Sequence, residues 1–138
     1  MELRILHGEI RVSTRRRIEA VDVTREVERW LSEVGAGDGI LVVRVPHTTA
    51  AVTINEAEPG LLEDIVRVIE EYFRPGGDWM HNRIDNNAHA HLAASFMGDS
   101  RVIPVRGGRP ALGTWQRILL VEGDGPRSRR IQLTYIGS

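Results

Sequence analysis

Apolar and polar residues follow two different periods along the first quarter of the chain. Residues 2–12 alternate and residues 16–22 are again rich in apolar side chains, so the pattern predicts a hairpin that turns at the polar residues 13–15. The spacing then becomes helical, and we expect Thr24 to cap this helix and Gly35 to end it in the left-handed conformation. The apolar positions of the helix are Val27, Trp30, Leu31 and Val34.

Two short apolar runs and a long amphipathic stretch follow in the middle of the chain. Residues 40–45 and 50–54 have the length and composition of strands. Pro59 suits the first turn of a second helix, and Glu58 before it complements the helix N-terminus. The apolar stripe of that helix extends to Phe73, and the sequence Pro-Gly-Gly then ends it.

The second half of the chain predicts one further helix and then strands. Residues 78–87 are polar and irregular, and the Ala-rich residues 88–97 predict a short third helix. Three strand-like segments follow, at residues 101–105, 111–122 and 129–136. Strands at both ends with helices between them favour an α+β fold, which we assign to a single domain spanning residues 1–138.

The composition excludes several kinds of chemistry. The chain contains no Cys and no Lys, which rules out thiolate nucleophiles, Cys-ligated zinc and lysine Schiff bases. All 18 basic residues are therefore Arg, which remains available to bind phosphate or carboxylate. The net charge is -1 and the arginines are spread along the chain, which disfavours nucleic acid as a partner. Without a targeting segment or a run of ~20 apolar residues, we expect a cytoplasmic protein that makes no membrane contact.

Four of the five histidines lie in segments that could meet in one pocket. His47 lies at a strand end, His81 lies in the polar loop, and His89 and His91 lie in the Ala-rich segment. Because residues two apart face nearly opposite sides of a helix, we expect at most one of His89 and His91 to be a ligand. His7 is isolated in the first strand, and we place it outside the site.

Three other segments each admit a functional and a structural interpretation. Glu56, which follows Asn55 at a strand end, can be a general base, a metal ligand or a charge at the helix N-terminus. The glycine before Trp115 indicates a bulge or the close approach of a ligand, whereas a core tryptophan is the alternative. The arginines of residues 127–130 can bind a phosphate or form a solvated turn.

These segments together resemble the YjbQ family, in the same order over nearly the whole chain. Each motif is moderately specific, and four in register make chance an unattractive explanation. The matching segments are residues 47–56 (HTTAAVTINE), Asn87 with residues 91–95 (HLAAS), residues 112–116 (LGTWQ) and residues 125–130 (GPRSRR).

The resemblance implies an antiparallel β-sandwich, a homotrimer with its pocket near a subunit boundary, and a weak thiamine-phosphate synthase activity. That reaction joins a pyrimidine-methyl diphosphate to a thiazole phosphate and releases pyrophosphate. The catalytic residues that the resemblance implies are His47, Asn55, Glu56, Trp115 and Gln116.

The same resemblance implies a metal and a phosphorylated ligand. We expect His47, His81 and His91 to hold one divalent ion, zinc given imidazole ligands, and magnesium to enter with the diphosphate. We assign the binding of the cofactor to Thr48, Thr49, Arg129 and Arg130. Two alternatives stay open: a metal-dependent hydrolase of a phosphorylated metabolite, and a non-enzymatic trimeric module that binds a small anion or nucleotide.

Overall fold

Two antiparallel sheets and three helices make up the protein, whose computed structural model describes residues 2–138. The strands are β1 (Arg4–Ser13), β2 (Glu19–Asp22), β3 (Gly39–Arg44), β4 (Ala50–Asn55), β5 (Ser100–Arg106), β6 (Arg109–Pro110), β7 (Arg117–Glu122) and β8 (Ser128–Gly137). The helices are α1 (Thr24–Glu33), α2 (Pro59–Val68) and α3 (Ala88–Met97). A π-helical turn (Ile69–Phe73) extends α2, and a 3-10 turn (Met80–Arg83) precedes α3.

The two sheets enclose the main core and form an antiparallel sandwich. One sheet has the order β1-β8-β3-β5-β6 and the other the order β2-β7-β4. Alternate residues of β8, such as Leu133 and Tyr135, meet Leu120 of β7 and Leu31 of α1 in a shared buried cluster. On the other side of the three-stranded sheet, Val121 packs with residues of α2, the π-helical turn and α3 in a second cluster. Strand β7 is thus covered on both faces, which explains its continuous apolar run.

The structure confirms the α+β class and the three predicted helices. Glu58 caps α2, because its Oε2 atom accepts a hydrogen bond of 2.7 Å from the Leu61 N–H, and Pro59 occupies the first turn. Gly35 follows α1 with a φ of +67°, the left-handed conformation in which a side chain would be strained.

The predicted N-terminal hairpin is wrong. Strand β1 pairs along its whole length with β8, whereas β2 pairs with β7 in the other sheet. The segment between them therefore crosses from one sheet to the other, with the Thr14 N–H donating to the Arg127 carbonyl at 2.9 Å. Alternation shows that a segment is a strand, but it does not identify the partner strand.

The predicted cap of α1 is also wrong. Thr24 is already the first helical residue, and the carboxylate of Asp22 accepts from its N–H at 3.0 Å and from its hydroxyl at 2.6 Å. The Thr24 hydroxyl also accepts from the Ile118 N–H at 2.8 Å, so it joins the helix to β7. Burial opposes ionisation of Asp22, but hydrogen bonds from Thr24 and Arg117 outweigh it and lower the pKa of this carboxyl.

The strand predicted at residues 111–122 is shorter than expected. Only residues 117–122 form β7, and the Gly113 segment makes a turn in which the Gln116 N–H donates to the Gly113 carbonyl at 3.0 Å. The helices of residues 2–138 are all too short or too polar to cross a bilayer.

Candidate functional site

His47 lies in the loop between β3 and β4, where a backbone hydrogen bond fixes its ring. The N–H of Arg130, on β8, donates to His47 Nε2 at 3.0 Å. Since Nε2 acts as an acceptor, the proton of the neutral ring must be on Nδ1. Burial lowers the pKa of His47, and the charges of Arg129 and Arg130 lower it further, which favours the neutral ring. His47 is therefore a neutral donor through Nδ1.

His91 brings α3 into the same depression as His47. This depression has a volume of about 400 Å³, and its lining also includes Thr48, Ser95 and Asp99. Ser95 lies one turn after His91, and its hydroxyl donates to the His91 carbonyl at 2.8 Å. The depression therefore brings together two imidazoles, two hydroxyl groups and a carboxylate. They come from the loop before β4, from α3 and from the residues that follow α3.

His81 extends this group from the 3-10 turn. Its ring lies edge-on to that of His91, with 4.6 Å between the ring centroids. His81 Nε2 lies 3.0 Å from Asn87 Oδ1, and Asn87 Nδ2 donates to Asp124 Oδ2 at 3.0 Å. The three predicted histidines therefore form one surface cluster, which we call the histidine site: His47, His81 and His91.

Beneath the histidine site lies a buried ion pair between Glu122, the last residue of β7, and Arg129 of β8. Arg129 Nε donates to Glu122 Oε1 at 2.8 Å, and Arg129 Nη2 donates both to Glu122 Oε2 and to the Thr49 hydroxyl, the latter at 2.8 Å. The Thr14 hydroxyl donates to Glu122 Oε1 at 2.8 Å. Burial opposes ionisation of Glu122, but the hydrogen bonds outweigh it and hold its pKa below the ordinary value.

The residues assigned to cofactor binding have different environments. Thr48 is exposed in the depression beside His47, whereas Thr49 and Arg129 are buried and bonded to each other. A direct contact between Arg129 and a ligand phosphate would require the Glu122 network to open. Arg130 is partly exposed, with its guanidinium 3.8 Å from the Glu9 carboxylate, and is the arginine of the set nearer to solvent.

The remaining predicted catalytic residues lie at the other end of β4. Ala50 and Asn55 pair with Glu122 and Arg117, the two ends of β7, so about 17 Å of strand separates the histidine site from Glu56. A depression of about 420 Å³ at this far end is lined by Glu56 and Trp115, and we call it the tryptophan site. Trp115 is 71% exposed. Gln116 Oε1 accepts from the Gly113 N–H at 2.8 Å, and Asn55 Oδ1 accepts from the Glu56 N–H at 2.8 Å.

The two histidines that do not belong to the histidine site, His7 and His89, have structural surroundings. His7 lies on β1 with Nδ1 3.1 Å from the Thr134 hydroxyl. His89 is fully buried, and its Nε2–H donates to the Gly123 carbonyl at 2.8 Å, while its Nδ1 has no partner among the described residues. Burial lowers the pKa of His89 and favours the neutral ring. A Cβ at Gly123 would lie 2.8 Å from that of Ala90, so this close approach of the β7 end to α3 requires glycine.

The donor set of the histidine site does not supply three ligands for one metal ion. Within residues 2–138, no group of three His, Asp or Glu side chains is placed to hold an ion. His47 has its lone pair on Nε2, where it already accepts from Arg130. His81 uses Nε2 for its hydrogen bond with Asn87, and its Nδ1 has no partner among residues 2–138. Zinc at all three histidines would therefore require the His47 ring to leave its hydrogen bond.

Sequence reasoning missed the residues that support the histidines. Asp124 and Glu122 were not singled out, although an acidic residue that ends a continuous apolar strand is a signal of a buried, paired carboxylate. Asn87 belonged to a matched segment without an assigned role. Ser95 and Asp99 entered the depression only through the packing of α3, which no local pattern encodes.

Comparisons with known proteins agree on one family. The model of the family described as UPF0047 protein YjbQ-like matches residues 8–138. A UPF0047 protein of Archaeoglobus fulgidus is 50% identical, covering 89% of this chain and 95% of that protein. The UPF0047 protein YugU of Bacillus subtilis is 39% identical over 93% of this chain and 97% of its own length.

Solved structures give the same result. A hypothetical protein from Aeropyrum pernix K1 is 61% identical and superimposes with a TM-score of 0.94, covering 96% of this chain and 99% of that one. A YbjQ-like protein of unknown function from Sulfolobus solfataricus P2 is 47% identical with a TM-score of 0.96, covering 99% of this chain and 100% of that one. The chain therefore belongs to the YjbQ (UPF0047) family.

Proposed function

We propose that the protein is an enzyme that acts on a phosphorylated small metabolite at the histidine site. The observation that carries this proposal is the pair of fixed imidazoles. His47 offers an N–H donor at Nδ1, and His81 offers a lone pair at Nδ1, each set by a hydrogen bond to its other nitrogen. A donor on His47 and an acceptor on His81, each a neighbour of His91, provide the parts of acid–base chemistry on a bound anion.

The first candidate reaction is the transfer that the family resemblance implies. The C–O bond of a pyrimidine-methyl diphosphate breaks, pyrophosphate leaves with the electron pair, and the thiazole nitrogen forms the new C–N bond with its lone pair. Charge accumulates on the leaving group, which the His47 Nδ1–H and the Arg130 guanidinium can stabilise. Magnesium would arrive with the diphosphate as part of the substrate.

Hydrolysis of a phosphorylated metabolite is the second candidate, and the free lone pair of His81 favours it. The transfer reaction removes no proton, because the thiazole nitrogen attacks directly, so it gives a general base no role. Hydrolysis requires a base for the attacking water as well as a donor for the leaving group. The histidine site offers both kinds of atom.

We further propose that the active protein is a homotrimer in which the tryptophan site of one subunit meets the histidine site of the next. The support is that the predicted catalytic residues lie at opposite ends of β4 within one subunit. Large apolar side chains also surround both ends: Met80 (77% exposed), Ile84 (85%) and Phe96 (79%) near the histidine site, and Trp115 at the other. Such exposed apolar groups mark interaction surfaces.

Product analysis tests the reaction and separates all three candidates. The purified protein is incubated with magnesium and the pyrimidine-methyl diphosphate, with and without the thiazole phosphate. Thiamine phosphate formed only with both substrates indicates transfer, whereas release of phosphate or pyrophosphate without thiamine phosphate, leaving the pyrimidine monophosphate or alcohol, indicates hydrolysis. Binding without either product would leave the anion-binding module and refute the enzyme. His47→Ala and Glu56→Ala should each lower the rate by about 100-fold, whereas the control His7→Ala should not.

A further inference from the structure

The side chains of Asp124, Asn87 and His81 form a continuous hydrogen-bonded chain that ends at the histidine site. Asn87 is only 6% exposed, and nothing in the reaction schemes above uses it or Asp124. We propose that Asn87 and Asp124 are positioning residues that hold His81 as the Nε2–H tautomer, so that Nδ1 takes a proton from the attacking water. This inference rests on the hydrolytic form of the proposed function.

The direction of each hydrogen bond follows from the chemistry of the three groups. Asp124 is the fixed end, since burial opposes its ionisation but hydrogen bonds from Asn87 and Arg127 outweigh it and lower its pKa. A carboxylate only accepts, so Asn87 must turn its Nδ2 towards Asp124 and its Oδ1 towards His81. Oδ1 only accepts in turn, so His81 Nε2 must carry a proton. The neutral ring then has its lone pair on Nδ1.

The chain is anchored to the interior at its carboxylate end. The Asp124 N–H donates to Glu122 Oε2 at 3.0 Å, which connects it to the buried ion pair. Arg127 Nη2 donates at 3.0 Å to the same Asp124 Oδ2 atom that accepts from Asn87, and Arg127 Nε donates to the Asp124 carbonyl at 2.8 Å. An exposed histidine on a 3-10 turn thus receives its orientation from the end of β7.

The hydrolytic step uses one water molecule and breaks one phosphorus–oxygen bond. A water proton passes to His81 Nδ1 while the water oxygen forms a bond to phosphorus. The bond from phosphorus to the leaving oxygen breaks, and its electron pair stays on that oxygen. The imidazolium formed has both nitrogens protonated, with Nε2–H still bonded to Asn87 Oδ1, so the chain stabilises the charge.

The tautomer can be read directly by long-range ¹⁵N–¹H NMR on the intact protein at a pH where the ring is neutral. We expect His81 to show the Nε2–H pattern in the wild type. Asn87→Ala should produce a mixture of tautomers and lower hydrolysis by about 10- to 100-fold. Asn86→Ala is the matched control. Asn86 is exposed, and the hydrogen bond that it accepts from Arg17 is to its backbone carbonyl, which the substitution keeps.

A double exchange keeps the test valid if Asn87→Ala fails to fold. Asn87→Asp with Asp124→Asn reverses the middle hydrogen bond but leaves an acceptor facing His81. Both exchanges are made in an Arg127→Ala background, because Arg127 Nη2 donates to the oxygen that becomes the amide nitrogen, and they should retain the tautomer and most of the activity of that background. A wild-type His81 in the Nδ1–H form, or loss of the tautomer in the double exchange, would overturn the proposal. So would a wild-type rate in Asn87→Ala. A fixed tautomer without any turnover would refute the proposed function and leave the positioning role intact.

Discussion

The buried ion pair of Glu122 and Arg129 gives the sharpest stability prediction. Their side chains are 0% and 4% exposed, and Glu122 accepts from Thr14, Arg129 and the Asp124 N–H. Arg129→Met keeps much of the side-chain volume but leaves the carboxylate buried without its cation. Removing one partner of such a pair costs about 3–5 kcal/mol, a large share of the roughly 5–15 kcal/mol of a typical domain.

Calorimetry of the variants measures this cost. We expect Arg129→Met to lower the melting temperature by about 10–15 °C. Adding Glu122→Gln should recover much of the loss, because the amide carries no charge and can still accept from Thr14. Arg16→Met is the matched control, since Arg16 also contacts a carboxylate, Glu63, but at the surface, and its melting temperature should not change measurably. An Arg129→Met protein as stable as the wild type would refute the reasoning.

Acid should act on the same pair. The folded pKa of Glu122 lies below its unfolded value, so its contribution to stability is present above the unfolded pKa and is lost as the pH falls through the folded pKa. The wild type should therefore lose stability with acid below about pH 4.5 more steeply than the Glu122→Gln variant. Equal slopes for the two proteins would contradict the assignment.

Three further predictions concern other residues. His89 has a lowered pKa when folded, so the unfolded chain takes up a proton first as the pH falls below about 6.5, and His89→Gln should reduce the loss of stability between pH 6.5 and 5 seen by urea unfolding. Glu58→Ala removes the α2 cap and should cost about 1 kcal/mol by the same assay, whereas an unchanged midpoint would show that the cap contributes nothing. Because the histidine site does not supply three ligands for one ion within residues 2–138, we expect elemental analysis of the wild type to find no stoichiometric zinc, and a stoichiometric ion that His91→Ala removes would contradict this.

Local sequence patterns were sufficient to predict most of the helices and strands. The helical spacing of Val27 and Leu31, Pro59 at the start of α2 and the positive φ after α1 each follow from residues within one or two turns. The hairpin prediction was wrong because the partner of β1 is β8, more than 100 residues later. The alternation of β1 is equally compatible with pairing to β2 or to β8. The predicted Thr24 cap was wrong because the Thr24 hydroxyl accepts a tertiary hydrogen bond from β7.

The sequence predicted which histidines lie near one another in the candidate site, but it did not predict how the site is arranged. The histidines of residues 47, 81 and 91 lie close together as expected, but the rings of His47 and His81 are oriented by hydrogen bonds to Arg130 and Asn87, which only the folded chain brings near. Glu56 and Trp115 were expected in the same pocket, and the length of β4 places them at its far end. A sequence motif states which residues are present, whereas their separation depends on the sheet register.

Subunit mixing tests most directly the claim that one active site forms from two subunits. His47→Ala, altered at the histidine site, and Glu56→Ala, altered at the tryptophan site, are assayed alone and after co-expression in equal amounts. If each site of a trimer takes its histidines from one subunit and Glu56 from the next, about one quarter of the mixed sites are intact, and the mixture should recover about one quarter of the wild-type rate. A co-expressed mixture no more active than its two parents would contradict the account.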